Sequence, residues 1–499
     1  CLTFILLFSM LIGGGISPTR AIFMFALKIL GDVLGRTYDM LTAVTLALFL
    51  MLLEQPYYVG HAGFLLSFGA VLGISVLVPV LEDAFGKHRM LPSVAIFLAT
   101  FPVLLRFYFT FSPYATLLNL LIIPLMNVVL IDGILVLAVG LITLSGGMAF
   151  MALPDRLILG IYEKACLIFQ ALPGSLQICG QPPLWKVILY YPGLLVLFLL
   201  FRKGKMPRMV LVQGILVLLM VFAVPISGPG VKVTGIDVGQ GLSVLVQNDN
   251  GEAFLFDAGS TTKKDTGKYQ IAPCLKALGV GKLKAVFLSH PDEDHINGMM
   301  QLLKEAENGG LRIGQIILPQ ADPQLLTGYE AIADAAKGLK IPVRVADKET
   351  TFSSGNLVFF CLNPVKDLYA ADINEISQTW LLYKPAGRME RLRRKKKGTS
   401  ILLTGDITGS AEEAMTRQLE VTMENLGITS INLLQVAHHG SAYSTTDAFL
   451  QVAEPKEALI SCGIDNSYGH PHQELLERLQ QRHIRILRTD RLGAVSWTP

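Results

Sequence analysis

At 499 residues the chain is too long for one hydrophobic core. A mean hydropathy of +0.49 with 16% charged residues excludes an ordinary soluble protein of this size, and a net charge of +3 selects no class of partner. Six scattered cysteines (Cys1, Cys166, Cys179, Cys274, Cys361, Cys462) form no C-x-x-C pair, which argues against a thiolate zinc site and a disulfide framework.

The chain starts on Cys1 inside an apolar run, with no basic segment or cleavage site of a signal peptide, and reads as one whose start lies upstream. A hydrocarbon core about 30 Å thick needs about 20 apolar residues per helix. Spans are predicted near Leu2–Gly15, Leu41–Leu53, Ala62–Leu81, Leu91–Phe111, Leu117–Leu144 (as one helix or two short ones), Val187–Phe201 and Met209–Ile226. Thr19–Leu34 and Ala149–Leu172 are apolar runs broken by charges, suited to an interface or a polar cavity. Pro102, Pro124 and Asp132 within apolar runs fit either kinked, tightly packed helices or a substrate pathway. A polytopic α-helical membrane domain over 1–228 is expected. Arg202, Lys203, Lys205 and Arg208 crowd one short link between spans, so this link is expected in the cytoplasm and everything after the next helix outside it.

From 229 to 499 the pattern changes to short β-rich runs with helical stretches between them. The runs are Val231–Asp237, Ser243–Gln247, Ala253–Asp257, Ala285–Ser289, Gln315–Pro319, Leu357–Leu362, Thr379–Tyr383, Ser400–Leu403, Leu433–Ala437, Glu457–Ser461 and Ile484–Arg488. Met299–Glu307, Gly409–Met423 and Glu474–Arg482 read as helices. A layered α/β sandwich follows. The basic run Arg388–Lys397, with Arg391, Arg393, Arg394 and Lys395, reads as a solvated hairpin tip or as a contact for a polyanion such as DNA.

Chemistry concentrates at strand ends. Ser289-His290-Pro291-Asp292-Glu293-Asp294-His295 follows a strand and precedes a helix, so two imidazoles and two carboxylates can converge from one turn on a divalent ion, Zn or Mn. Thr404-Gly405-Asp406 ends another strand with a carboxylate. His438-His439-Gly440-Ser441 ends a third with paired imidazoles, and Gly469-His470-Pro471 adds one more before a helix. Singly each is weak; four such clusters in one domain are not a charged surface turn. Asp257, also at a strand end, is placed to orient a ligand histidine.

These residues resemble the metallo-β-lactamase superfamily, with Asp292 in place of the second histidine of H-x-H-x-D-H. The form H-x-D-x-D-H, with Gly235-Ile236-Asp237-Val238-Gly239-Gln240-Gly241 before it, is similar to ComEC-type competence channels. So are Gly15-Ile16-Ser17-Pro18-Thr19-Arg20-Ala21 and Gly63-Phe64-Leu65-Leu66-Ser67-Phe68 in the membrane half. Leu242 departs from that family's usual aspartate, and His61 and Leu65 from its usual Asp and Gln.

The resemblance implies an αββα sandwich in which two metal ions are held by His290, Asp292, Asp294, His295, Asp406 and His438 or His439. Asp294, His470 and Asp257 are its catalytic candidates, and Ser441, Asn466 and the basic run its substrate contacts. It implies DNA internalisation during natural transformation, with the outer domain hydrolysing the non-transported strand. Single-stranded DNA, membrane lipid, other competence proteins and a second copy of the chain are the expected partners. The alternatives are a DNA-binding channel with an inactive hydrolase domain, and a membrane-anchored metallo-hydrolase acting on a non-nucleic-acid ester or β-lactam.

Overall fold

A computed structural model describes residues 15–143, 151–225, 228, 230–365, 372–386 and 398–499. The chain divides into two compact units, Cys1–Ile226 and Ser227–Pro499.

The first unit is helical: α1 (Ile16–Val33), α2 (Met40–Glu54), α3 (Ala62–Phe85), α4 (Leu91–Tyr108), α5 (Ala115–Thr143), α6 (Leu153–Ala171), α7 (Leu184–Arg202) and α8 (Arg208–Ala223). Among the described residues four of these, α3, α4, α5 and α7, are long and apolar enough to cross a membrane. α2 and α8 are apolar but shorter, and the run Leu2–Gly15 lies almost wholly outside the described residues. The run from Leu117 is a single helix that passes through Pro124 without a break. A two-residue ribbon pairs β1 (Thr110–Phe111) with β2 (Gln177–Ile178).

Close helix approach needs small residues where backbones meet. α3 and α4 meet at Gly73, where an added Cβ would stand 2.7 Å from Ala99 Cβ and 2.9 Å from the Ala95 carbonyl. Gly73→Ala should therefore force the helices apart and cost about 1–3 kcal/mol as overpacking. Thermal unfolding of the full chain in detergent checks this, and an unchanged midpoint would refute it. The two stretches of the helical unit that resemble the competence channels also meet: Ser17 Oγ donates to Ser67 Oγ at 3.0 Å, and the Arg20 guanidinium lies 5.9 Å over the Phe68 ring.

The second unit is a sandwich. Its strands are β3 (Lys232–Gly235), β4 (Val244–Gln247), β5 (Ala253–Phe256), β6 (Lys282–Phe287), β7 (Arg312–Ile313), β8 (Ile316–Pro319) and β9 (Val343–Ala346). They continue as β10 (Thr351–Ser354), β11 (Leu357–Asn363), β12 (Thr379–Lys384), β13 (Thr399–Leu403), β14 (Leu433–Gln435), β15 (Glu457–Ile460), β16 (Arg485–Arg488) and β17 (Val495–Trp497). One sheet runs β17-β3-β4-β5-β6-β8-β9, with β7 beside β6; the other runs β10 to β16 in chain order. In each, an antiparallel half passes into a parallel half, at β5/β6 and at β13/β14.

Side chains alternate faces along a strand, so each strand serves two cores. Val244, Val246, Phe254 and Phe256 face Trp380, Leu382, Ile401 and Leu403 between the sheets. Leu245 and Leu255 face outward onto Leu275, Leu302 and Ile332. On the far side Leu381 and Leu402 pack against Met415, Leu419, Phe449 and Leu475. This is the expected αββα layering. All eleven strand runs read from the sequence are present; β7, β9, β10 and β17 are additional.

Candidate metal centre

Each donor sits just beyond the C-terminal end of a parallel strand, where the chain leaves the sheet and its polar groups are free to converge. The turn after β6 carries His290, Asp292, Asp294 and His295; the turns after β13 and β14 bring Asp406 and His439. Two donor groups result. Asp294, His295, Asp406 and His439 offer one atom each, all within 4.8 Å of one another, and so do His290, Asp292 and Asp294. Asp294 belongs to both.

The imidazoles are aimed by what holds their outer nitrogens. His295 Nδ1–H donates to Asp257 Oδ2 at 2.8 Å, and His439 Nδ1–H to the Ser461 carbonyl at 2.9 Å. Each therefore presents Nε2 inward. His295 Nε2 lies 3.2 Å from Asp406 Oδ1, while His439 Nε2 lies 3.2 Å from both Asp294 Oδ2 and Asp406 Oδ2. Asp257 also accepts from the Ser289 backbone N–H and hydroxyl, at 2.7 Å each.

Whether a divalent ion fits can be judged from unsatisfied atoms. His290 Nε2, His295 Nε2 and Asp406 Oδ1 are buried without a hydrogen-bond partner, although the last two stand only 3.2 Å apart. Buried polar atoms are rarely left so. Imidazole nitrogens and carboxylate oxygens facing one point are the donor set of Zn²⁺ or Mn²⁺, and the residues fit such ions.

Burial works against charge here, but the carboxylates outweigh it. His439 would be lowered by desolvation, yet Asp406 and Asp294 push it up to about 10, and His295 is likewise held well above its ordinary value. Asp294, which burial would raise, is held at about 2 by His295 and His439. Below about pH 10 an ion taking His439 Nε2 must displace a proton, so Zn²⁺ affinity should rise with pH across the neutral range and binding should release protons. Calorimetry in buffers of different ionisation enthalpy measures that release; a pH-independent affinity would count against it.

Backbone strain gathers at the same place. Asp257, His438 and His439 have φ of 58°, 51° and 54°, left-handed values that non-glycine residues adopt at a cost. Gly259 permits a close approach to the metal turn: an added Cβ would stand 2.3 Å from the Asp294 carbonyl carbon and the His295 nitrogen.

The competence protein family matches residues 1–204, and the metallo-β-lactamase superfamily matches residues 236–358. The chain joins a competence-protein domain to a metallo-β-lactamase domain. It is 27% identical to ComE operon protein 3 of Bacillus subtilis over 99% of this chain and 63% of that one. It is 30% identical to competence protein ComA of Neisseria gonorrhoeae over 63% of this chain and 39% of that one. It thus spans less than two thirds of either relative. Among solved structures, the metallo-β-lactamase fold protein YhfI from Bacillus subtilis is 14% identical, with a TM-score of 0.34 over 54% of this chain and 99% of that one.

Within the metallo-β-lactamase domain the remaining candidates divide. His438 lies outside both donor groups, its ring 6.4 Å from that of His439. His470 also stands outside them, beside His439 and His438 at ring separations of 6.4 and 5.7 Å. Both hydrogens of the Asn466 amide go to the Gly463 and His470 carbonyls, fixing the loop under His470. Ser441 is buried, and its Oγ accepts from the Tyr443 N–H. Arg391, Arg393, Arg394 and Lys395 lie outside the described residues, between the paired strands β12 and β13. Leu242 packs between the sheets with Val244 and Phe256, and its backbone N–H donates to the Asp294 carbonyl of the metal turn at 3.0 Å.

Two supporting residues escaped the sequence reading. Ser377 places its Oγ 3.3 Å from His290 Nδ1 and accepts the Asp406 N–H. Gln435 Oε1 accepts the Thr404 and Gly405 N–H groups that carry Asp406. Neither stands in a recognisable spacing.

Proposed function

We propose that this chain takes part in DNA uptake across the cytoplasmic membrane during natural transformation, its competence domain crossing the bilayer several times as the channel. The metallo-β-lactamase domain, outside the cytoplasm, hydrolyses phosphodiester bonds of the strand that is not transported. The observation that carries the hydrolytic reading is the sharing of Asp294 by two donor groups, since paired ions are a recurrent device for phosphodiester chemistry. His290, Asp292 and Asp294 would hold one ion, and Asp294, His295, Asp406 and His439 the other. The carboxylate share of this set favours Mn²⁺ as a competitor of Zn²⁺. Such ions supply Lewis acidity and an acidified water, and offset charge on the phosphate in the transition state.

The chain's own groups do the rest. Asp257 keeps the His295 proton on Nδ1. His470, which burial and then its histidine neighbours hold down at about 4, is neutral at ordinary pH and can donate one N–H to a phosphate oxygen. The cations of Arg202–Arg208 support the orientation by the positive-inside rule, and the Arg388–Lys397 run supports DNA as the polyanion. Other competence proteins, lipid and a second copy of the chain are the partners this reading brings with it.

The test is hydrolysis of single-stranded DNA by the full chain in detergent, with Mn²⁺ or Zn²⁺, set against a β-lactam and a thioester. Cleavage of DNA that stops on chelation is expected. Turnover of the β-lactam or thioester alone would replace the reading with its rival, and tight DNA binding without cleavage would leave a channel whose hydrolase is inactive.

A further inference from the structure

We propose that Tyr443 and Tyr468 form a stacking rim beside the metal centre, on which the bases of a single-stranded nucleic acid rest while its backbone reaches the donors. This rests on the DNA reading above and adds the residues that hold the strand. Both rings are open to water, Tyr443 at 83% exposure and Tyr468 at 54%, and Ile464 nearby on the Tyr468 loop is 72% exposed. Single exposed apolar residues are common. These differ in being the outer end of a run of rings that starts at the centre itself.

His439, a donor, lies 6.4 Å from His470 with the planes 29° apart, and His470 lies 5.7 Å from Tyr468 at 23°. The three planes thus fan by modest angles from the donors to the surface, and the Tyr468 face not covered by His470 continues the stack outward. A second branch turns the corner: His470 meets His472 at 4.8 Å and 85°, and His472 meets Tyr443 at 6.4 Å and 84°.

His472 makes the rim a built feature. Its Nδ1 accepts the Ala442 N–H at 2.9 Å, which leaves the ring proton on Nε2, and that group donates to the Tyr468 carbonyl at 3.2 Å. One imidazole therefore ties the loop before Tyr443 to the loop carrying Tyr468. Two flat faces held in place at the mouth of a phosphodiesterase centre suit nucleobases, because every base has a π-face and stacking is tolerant of sequence. A strand whose bases vary along its length needs that tolerance.

The experiment uses the full, metal-loaded chain in detergent, and both strands carry phosphorothioate linkages that resist cleavage, so that binding is read by itself. The probes are a single-stranded oligodeoxynucleotide containing 2-aminopurine and an abasic strand of equal length. The wild type should bind the base-bearing strand about 10-fold or more tightly than the abasic one and quench 2-aminopurine fluorescence. In Tyr443→Ala and Tyr468→Ala that preference should fall about 5-fold or more each, with quenching reduced, while Tyr443→Phe and Tyr468→Phe keep both. Since the two side chains are exposed, the alanine variants should melt where the wild type does, which separates lost stacking from lost fold. A double-alanine variant with undiminished preference and quenching overturns the rim. Equal wild-type affinity for both strands also overturns it but leaves the DNA reading standing, whereas failure to bind either strand removes both.

Discussion

Under the proposed function, exchange of Asp294 for alanine should lower metal-dependent DNA hydrolysis by about a thousand-fold or more, with bound metal falling from the proposed two ions per chain to at most one. Loss of one group that meets developing charge typically costs a hundred- to a thousand-fold, and Asp294 is shared by both donor groups. Without it His439 Nε2 keeps only Asp406 at 3.2 Å, and the outer group shrinks to His290 and Asp292, 3.5 Å apart. The fold should survive, because backbone bonds that alanine preserves tie this turn to its neighbours, among them the Leu242 N–H to the Asp294 carbonyl and the Ala258 N–H to the His295 carbonyl. Rates with metal counted by mass spectrometry decide it: activity within ten-fold of wild type at full metal content would remove Asp294 from the centre.

Asp257→Ala should weaken metal binding about 10- to 100-fold without removing any donor, and should cost stability as well. Asp257 is buried and accepts three hydrogens, from the Ser289 N–H, the Ser289 hydroxyl and His295 Nδ1. Alanine strands these donors away from water, at about 3 kcal/mol or more. Asparagine separates the two effects. It tolerates the left-handed φ of 58°, but its NH₂ must face one of those donors. If it faces His295, the proton moves to Nε2, the nitrogen the centre needs bare. Asp257→Asn should therefore melt closer to wild type than Asp257→Ala while binding Zn²⁺ almost as poorly. Wild-type affinity in the asparagine variant would show that the His295 tautomer is not what Asp257 controls.

The sequence showed the sandwich and the convergence of its polar turns because both leave periodic or clustered marks. Apolar runs such as Ala253–Phe256 and Ser400–Leu403 are buried on both faces and stand out against polar surroundings. β9 and β10 were missed because they lie at the ends of their sheets and are largely exposed, with only Ala346 and Ser354 buried, so no continuous apolar run marks them. His290, Asp292, Asp294 and His295 were legible from their spacing within one turn. Ser377 and Gln435 were not, since they act through geometry set by chain far away. The choice between His438 and His439 was closed to sequence altogether. Two adjacent imidazoles differ only in where two successive left-handed residues point them. The run from Leu117, which could have been two short helices, is one because a single missing N–H at Pro124 in a 29-residue helix does not end it.

The donors come from both sheets, and His439 meets Asp294 across 145 positions of the chain. The group of His290, Asp292 and Asp294 lies within one turn, but the four-donor group cannot form from local contacts, because closing so long a loop requires the two sheets already to be docked. The four-donor group is therefore a late product of folding: its two imidazoles and two carboxylates come together only once both sheets have docked.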